Sequence, residues 1–365
     1  MIRKLKLFSI TLLFPLLSSC YLINQGFNLL KYNISAIPLD EVYNNPNIKK
    51  EIKERIKLIY EIREFAINHL GLKKNKTYTR YVELNDRNYL VNVLVASKKD
   101  KLEAYKWTFP FFGSFPYKGF YDIEEAKKEE EILKKQGYDT YIRKAGAFST
   151  LGWFDDPIYS YMLNYSTEYL ANLIIHEMTH ATIFIKDNIQ FNEELASFIG
   201  DHGAVEFLKY KYGEDSNEYK NSFYIKEDNA LFSKYINDFY NELDKNFRDE
   251  SINIKQKLRN KKLIIDKKLE EFKELQKKFK IRDSYSWFPK LKINNAVIIS
   301  FITYEKDSSL FDTLHNKLGN DLLKTINFLK YLDKNIKNGH KDYIKKFIND
   351  DEKVKKFLEE IETKK

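Results

Sequence analysis

Two histidines and a glutamate occur at a spacing that could hold a metal ion and activate water. Residues 172–181 read NLIIHEMTHA, which places His176-Glu177-x-x-His180 inside an apolar run compatible with a helix. Residues four apart lie on one face of a helix, one turn apart, so both imidazoles can bind the same ion. Glu177 follows the first histidine and could accept a proton from water. The pattern predicts a zinc hydrolase site, with His176 and His180 as ligands and Glu177 as the general base.

A catalytic zinc site needs a third protein ligand, which must come from a second element. Glu193 lies thirteen residues after His180, at the start of the next predicted helix. A helix–turn–helix of this length can bring its side chain back to the ion. Glu194 is an alternative that points about 100° away on the same helix, and His202 is another. Its position makes Glu193 the best candidate for the third ligand, with Glu194 and His202 left open, and zinc is the expected cofactor.

Other polar residues could assist the same site. Asn192 directly precedes the third candidate ligand, and Ser197 or Asp201 could orient a ligand through a hydrogen bond. The oxyanion of a tetrahedral intermediate also needs a donor. Among 26 tyrosines, Tyr304 is the hypothesis for that catalytic role.

Two helices must position these residues. Ser166 is a suitable N-cap for the helix that carries the motif, and Glu168 lies in its first turn. A second helix is predicted from about Phe191 to Tyr212, where Gly213 ends it.

Strand signals precede the motif. Residues 78–84 and 89–95 are rich in β-branched and aromatic side chains on either side of an Asn-Asp turn signal, which predicts a hairpin. Residues 123–136 predict an amphipathic helix. Residues 138–143 predict a short strand, and such an edge strand could pair with a peptide backbone.

Charged helices dominate the C-terminal half. Residues 215–285 are rich in lysine and glutamate with recurring apolar positions, which predicts a long helical hairpin. The expected fold class is α+β, predominantly α, with a small β-sheet. The expected domains are a signal peptide (1–19), a tether (20–45), a catalytic core (46–214), a helical hairpin extension (215–290) and C-terminal helices packing on the core (291–365).

Composition limits the function classes. The chain has 365 residues, of which 43% are hydrophobic, so it can form a sizeable core. The mean hydropathy of -0.55 and the 32% of charged residues favour a soluble body. The formal charge of +9 is spread along the chain. Because no nucleic-acid-binding motif accompanies that charge, we expect no nucleic-acid partner.

The N-terminus has the features of an export signal. Arg3, Lys4 and Lys6 precede the apolar run 7–17, which is too short to span a bilayer as a stable helix. Leu-Ser-Ser-Cys20 then resembles a bacterial lipobox, in which Cys20 becomes the lipidated first residue. We therefore expect a protein of the bacterial cell envelope, bound to the membrane by an N-terminal lipid on the extracytoplasmic side.

Several runs together carry a resemblance to a known family. They are Tyr117–Tyr121, Gln136–Tyr141, Ser149–Pro157, His176–His180 and Phe191–Glu193. On these runs the chain resembles the bacterial predicted aminopeptidase lipoproteins, a group of gluzincin-like zinc metallopeptidases. The resemblance covers most of the mature chain except the charged hairpin. It implies a zincin-like fold, a peptide substrate, and zinc bound by His176, His180 and Glu193.

The specificity implied by this resemblance is less defined. An aminopeptidase needs an acidic side chain for the free amine of its substrate, and the chain lacks the Gly-x-Met-Glu-Asn signature of well-studied aminopeptidases. Asp155, Asp156 and Glu194 are candidates for that role. An endopeptidase or a cell-wall peptide hydrolase is an alternative. Another is a surface lipoprotein that binds partners through the hairpin and retains a vestigial metal site.

Overall fold

A computed structural model of the protein describes residues 30–84, 87–109, 113–146, 156–186, 188–302 and 308–363. The predicted signal peptide (1–19) and the candidate functional residues Cys20, Asp155 and Tyr304 lie outside these ranges. In the described part of the chain, no helix combines the length and the apolar character needed to cross a membrane.

The described chain is predominantly helical with short strands, which confirms the expected α+β class. The strands are β1 (Ile37–Pro38), β2 (Arg80–Val82), β3 (Val91–Lys98), β4 (Trp107–Phe109), β5 (Gly113–Phe115), β6 (Lys118–Phe120), β7 (Tyr138–Ala145) and β8 (Ile158–Tyr159). After helical residues 30–35, the helices are α1 (Leu39–Asn44), α2 (Lys50–Asn68), α3 (Ile123–Lys135), α4 (Thr167–His180), α5 (Ile189–Tyr212), α6 (Asn217–Arg248), α7 (Ile254–Gln276), α8 (Asn295–Ile302), α9 (Ser309–Lys317), α10 (Leu322–Asn335), α11 (His340–Ile348) and α12 (Asp351–Glu362).

The chain forms two compact units, and each combines segments that are far apart in sequence. The first includes described residues of Arg87–Phe148 and Phe223–Glu305. The second includes those of Ala36–Asp86, Ser149–Ser222 and Lys306–Lys365. The domain boundaries expected from the sequence remain a prediction.

The first unit is built on an antiparallel sheet with the strand order β6-β3-β7. β3 and β7 pair along their whole length, from Val91 opposite Ala145 to Lys98 opposite Tyr138. Helix α3 packs on this sheet because Ala126 and Leu133 on its apolar side join a buried cluster with strand residues. The predicted helix and the predicted strand of this region are therefore confirmed.

The predicted helical hairpin is also confirmed: it consists of α6 and α7, which belong to the first unit from Phe223 onwards. Its inner side is an apolar cluster that includes Phe239, Phe272 and Phe288. The buried Asp228 carboxylate accepts hydrogen bonds from the backbone N–H of Lys280 at 2.7 Å and of Ile281 at 2.9 Å. The charged residues of α6 and α7 therefore lie around a buried apolar cluster.

The hairpin predicted for residues 78–95 is wrong. Its first strand, β2, pairs antiparallel with β1 and parallel with β8. Its second strand, β3, pairs with β6 and β7. Local propensity locates strands, but the partner of a strand depends on which other strands the fold brings alongside it.

The second unit packs helices α2, α4 and α5 together. Ile56, Ile59 and Ile62 follow a helical spacing on α2 and are fully buried. Helices α4 and α5 pack against each other more extensively than any other pair of described elements. The motif residues lie on this helix pair.

Candidate metal centre

Helix α4 holds the histidine pair on a rigid segment. The Ser166 hydroxyl accepts a hydrogen bond from the backbone N–H of Tyr169 at 3.1 Å, so the predicted N-cap is confirmed. Ile174, Ile175 and Met178 are fully buried on the same helix. The cap and this burial fix the helix from its first turn to its end at His180.

The connection between α4 and α5 is fixed by Asn192. Its side-chain oxygen accepts a hydrogen bond from the backbone N–H of Ile185 at 2.8 Å, and its amide nitrogen donates to the carbonyl of the same residue at 2.8 Å. Asn188 caps the start of α5 by accepting from the N–H of Phe191. Asn192 therefore orders the turn that returns the chain to the histidines, because both polar atoms of its side chain are bound to that turn.

The ordered turn places Glu193 against both histidines. The two Nε2 atoms of His176 and His180 lie 3.2 Å apart. Glu193 Oε1 lies 3.3 Å from Nε2 of His180, and Oε2 lies 3.8 Å from Nε2 of His176. One nitrogen from each ring and the carboxylate of Glu193 thus lie close together between the helices.

The spacing of these three groups fits a small tetrahedral ion. Zinc–ligand distances of about 2.0–2.2 Å place neighbouring donor atoms of a tetrahedral site about 3.3–3.6 Å apart. The His176–His180 separation of 3.2 Å and the separation of 3.3 Å between His180 Nε2 and Glu193 Oε1 are close to this spacing. With one donor atom from each residue, the three atoms lie within 4.8 Å of one another. Among the described residues, these three form the group of histidine, cysteine and acidic side chains that could hold a metal ion. Two imidazoles and one carboxylate are also donors that zinc accepts.

The side chains of the two alternative candidates, Glu194 and His202, contact other partners. The Glu194 side chain is 4% exposed, and the Lys341 ammonium lies 2.6 Å from its Oε2. Gln190 donates to its Oε1 at 2.8 Å. His202 Nε2 lies 3.2 Å from Oδ1 of Asp312. Neither rival side chain belongs to the convergent group, and Glu194 is also unsuited to bind a substrate amine because a lysine already neutralises it.

A tyrosine that the sequence analysis did not select lies near the candidate base. Tyr78 is 2% exposed and has a left-handed backbone with φ of +57°. Its N–H donates to the backbone carbonyl of Asp156 at 2.8 Å. Burial, followed by the charge of Glu177 and then that of Asp156, raises the pKa of Tyr78 well above its ordinary value. The phenol therefore stays protonated and can act as a hydrogen-bond donor. No local sequence signal distinguishes Tyr78 from the other tyrosines.

Polar groups continue along the α4–α5 interface beyond the histidines. The Asn172 amide donates to Oδ1 of Asp201 at 2.5 Å. Burial, followed by the charge of Asp201, raises the pKa of Glu168 to about 7. Ser197 is half-buried on α5, one turn after Glu193. Asp201 therefore accepts a hydrogen bond from Asn172, which lies one turn before His176 on α4.

These residues form a candidate site of a defined class: two histidines from one helix and a glutamate from the next, which together could hold one metal ion. The chain matches the family described as "Putative aminopeptidase" over residues 20–343. The match covers most of the chain, so the protein belongs to that family. Searches of curated proteins and of solved structures found no match.

The raised pKa of Glu168 predicts a pH-dependent stability. Because the folded state holds this proton up to about pH 7, it binds more protons than the unfolded chain between about pH 4.5 and 7. Stability therefore falls as the pH rises through this window. Discounted for solvent screening, the expected loss is about 1 kcal/mol. Glu168→Gln should abolish this component in denaturant unfolding measured from pH 4.5 to 8.

The matched control for this measurement is Glu51→Gln, which replaces an exposed glutamate of α2 in the same unit. This variant should keep the pH slope of the wild type. If Glu168→Gln also kept that slope, the buried carboxyl would not be the titrating group.

Proposed function

We propose that the protein is a zinc-dependent peptidase with a zincin-like catalytic site, and that it acts as an aminopeptidase. The observation that carries the proposal is the convergence of His176, His180 and Glu193 from two helices, with Glu177 adjacent to the first ligand. Membership of the aminopeptidase family supports peptides as the substrate class.

In the proposed mechanism three residues bind the metal ion and Glu177 is the general base. His176, His180 and Glu193 would hold the ion through the three atoms that converge in the structure. When bound, zinc polarises the scissile carbonyl and lowers the pKa of water at the site to about 7. Glu177 accepts a proton from the attacking water and passes it to the nitrogen of the leaving amine. The peptide bond breaks between the carbonyl carbon and that nitrogen.

Tyr78 supports this chemistry as a protonated donor beside the base. A tyrosine whose pKa is raised by a nearby carboxylate gains by donating a hydrogen bond to that carboxylate. In the proposed mechanism Tyr78 holds the Glu177 carboxylate towards the water. The oxyanion-stabilising role proposed for Tyr304 remains a prediction.

The proposed location follows from the N-terminal sequence. The basic residues, the short apolar run and Cys20 of the lipobox are typical of a bacterial lipoprotein. We propose that the lipid on Cys20 anchors the protein on the extracytoplasmic side of the cell envelope. Its substrates would then be peptides outside the cytoplasm.

The function is tested by two isosteric substitutions. Glu193→Gln should lose stoichiometric zinc and hydrolysis together, because an amide is a poor zinc ligand. Glu177→Gln should keep zinc and lower kcat by about 10²-fold or more, the effect of losing a general base. Zinc is measured by elemental analysis of the purified protein and hydrolysis on a peptide library.

Glu194→Gln is the matched control, since it alters the neighbouring carboxylate that binds Lys341. It should retain zinc. Loss of zinc in this variant alone would contradict the ligand assignment. Stoichiometric zinc in a wild type that cleaves no peptide would instead favour the vestigial metal site of a partner-binding lipoprotein.

Removing the Tyr78 hydroxyl should affect catalysis and leave the metal in place. Tyr78→Phe keeps the buried ring and removes the hydroxyl that we propose donates to Glu177; a hydrogen bond to a charged group contributes about 1.5–3 kcal/mol. We expect kcat to fall about 10- to 100-fold with unchanged zinc content. Tyr161→Phe, a change to a second buried tyrosine of the same cluster, is the control. Equal activity in both variants would remove Tyr78 from the mechanism.

Aminopeptidase specificity requires recognition of a free amine. The charge of Asp156 contributes to the raised pKa of Tyr78, as does that of Glu177. We therefore propose that the Asp156 carboxylate binds the free amine of the substrate. Peptides with a free N-terminus should be cleaved faster than N-acetylated ones, and Asp156→Asn should raise KM for free peptides only. If acetylated peptides are cleaved equally fast by the wild type, the protein is an endopeptidase or a cell-wall peptide hydrolase.

A further inference from the structure

A glycine of α5, Gly200, lies directly against α4 beside His176. A Cβ atom at Gly200 would be 3.1 Å from the carbonyl oxygen of Asn172 and 3.2 Å from the Cβ of His176. Both distances are tighter than about nine in ten real Cβ contacts. One of the two obstructing atoms belongs to the backbone of α4, and the other is the first side-chain atom of a ligand. Neither can rotate away.

A second contact holds the same part of the interface. Asn172, whose carbonyl faces Gly200, donates its side-chain amide to Asp201 at 2.5 Å. Gly200 and Asp201 are consecutive on α5, and Asn172 lies one turn before His176 on α4. We name these three residues the helix clamp. It joins the two helices through one steric contact and one charge-assisted hydrogen bond.

The dimensions of a metal site make this contact important. Ligand distances at a metal site must be met within about 0.2 Å. His176 and Glu193 lie on opposite sides of the interface, so a change in helix separation changes the distance between them. A methyl group at Gly200 would require a displacement of a few tenths of an ångström. That displacement exceeds the tolerance of the site.

We propose that Gly200 and Asn172 are positioning residues of the metal centre, which set the separation of the ligand helices and so the metal affinity. This inference deepens the proposed function and rests on it. Gly200 has no side chain because any side chain would push His176 away from Glu193. Asn172 then holds the close approach through Asp201.

The inference is tested by the metal affinity of Gly200→Ala. We expect zinc to bind about 10- to 100-fold more weakly, the range found when residues that orient metal ligands are lost. Affinity is measured by competition with a chromophoric chelator, on the full chain. Substituted Co²⁺ should show a changed visible spectrum, because the geometry of the ligands changes. These readouts do not depend on peptide hydrolysis.

Gly203→Ala is the matched control. Gly203 is on the same helix, and its added Cβ would lie 3.0 Å from side-chain carbons of Ile175 and Leu70. The substitution adds the same methyl group to the same helix, but it presses on hydrocarbon side chains. Its zinc affinity should stay within about threefold of the wild type. Equal losses in both glycine variants would overturn the special role of Gly200.

Asn172→Ala tests the clamp without adding volume, and so remains informative if Gly200→Ala does not fold. We expect zinc affinity to fall about tenfold with an unchanged fold by circular dichroism. A wild-type affinity in this variant would overturn the positioning role of Asn172. If the wild type itself binds no zinc, the proposed function fails; if it binds zinc and Gly200→Ala binds it equally well, only the present inference fails.

Discussion

The close packing of α4 against α5 is the constraint on which the candidate site depends. The side chains of His176, His180 and Glu193 must lie close enough together to bind one ion. They come from two antiparallel helices joined by a short turn. Three features hold the helices and their connection in place: Gly200, which leaves room beside Asn172 and His176, the Asn172–Asp201 hydrogen bond, and Asn192 in the turn. The ligands can therefore converge in a largely preformed arrangement.

The region beside Glu177 shows a different use of burial. Tyr78 adopts a left-handed backbone, which is unusual for a residue other than glycine, and its ring is almost completely buried. The hydrogen bond from its N–H to Asp156 holds this conformation. Residues other than glycine with a left-handed backbone occur more often at active sites than elsewhere. The catalytic proposal therefore extends from the metal ligands to the loop that precedes β2.

Much of the local structure could be predicted because local interactions decide it. The cap at Ser166, the end of α5 at Gly213 and the helical periodicity of α7 depend on residues within a few positions of one another. The pairing of β2 could not be predicted in this way. Its partners, β1 and β8, are distant in sequence, and strand propensity contains no information about which distant strand supplies the hydrogen bonds.

The sequence by itself determined the candidate chemistry: two histidines at helical spacing, a glutamate beside the first, and an apolar run that makes the segment a helix. It left Glu193 and Glu194 as rivals, since adjacent residues of one helix differ only in direction. The tertiary structure separated them by turning Glu193 towards the histidines and Glu194 towards Lys341. It also brought Tyr78 near Glu177 and Gly200 against His176. Such contacts between distant segments depend on packing, which no local pattern encodes.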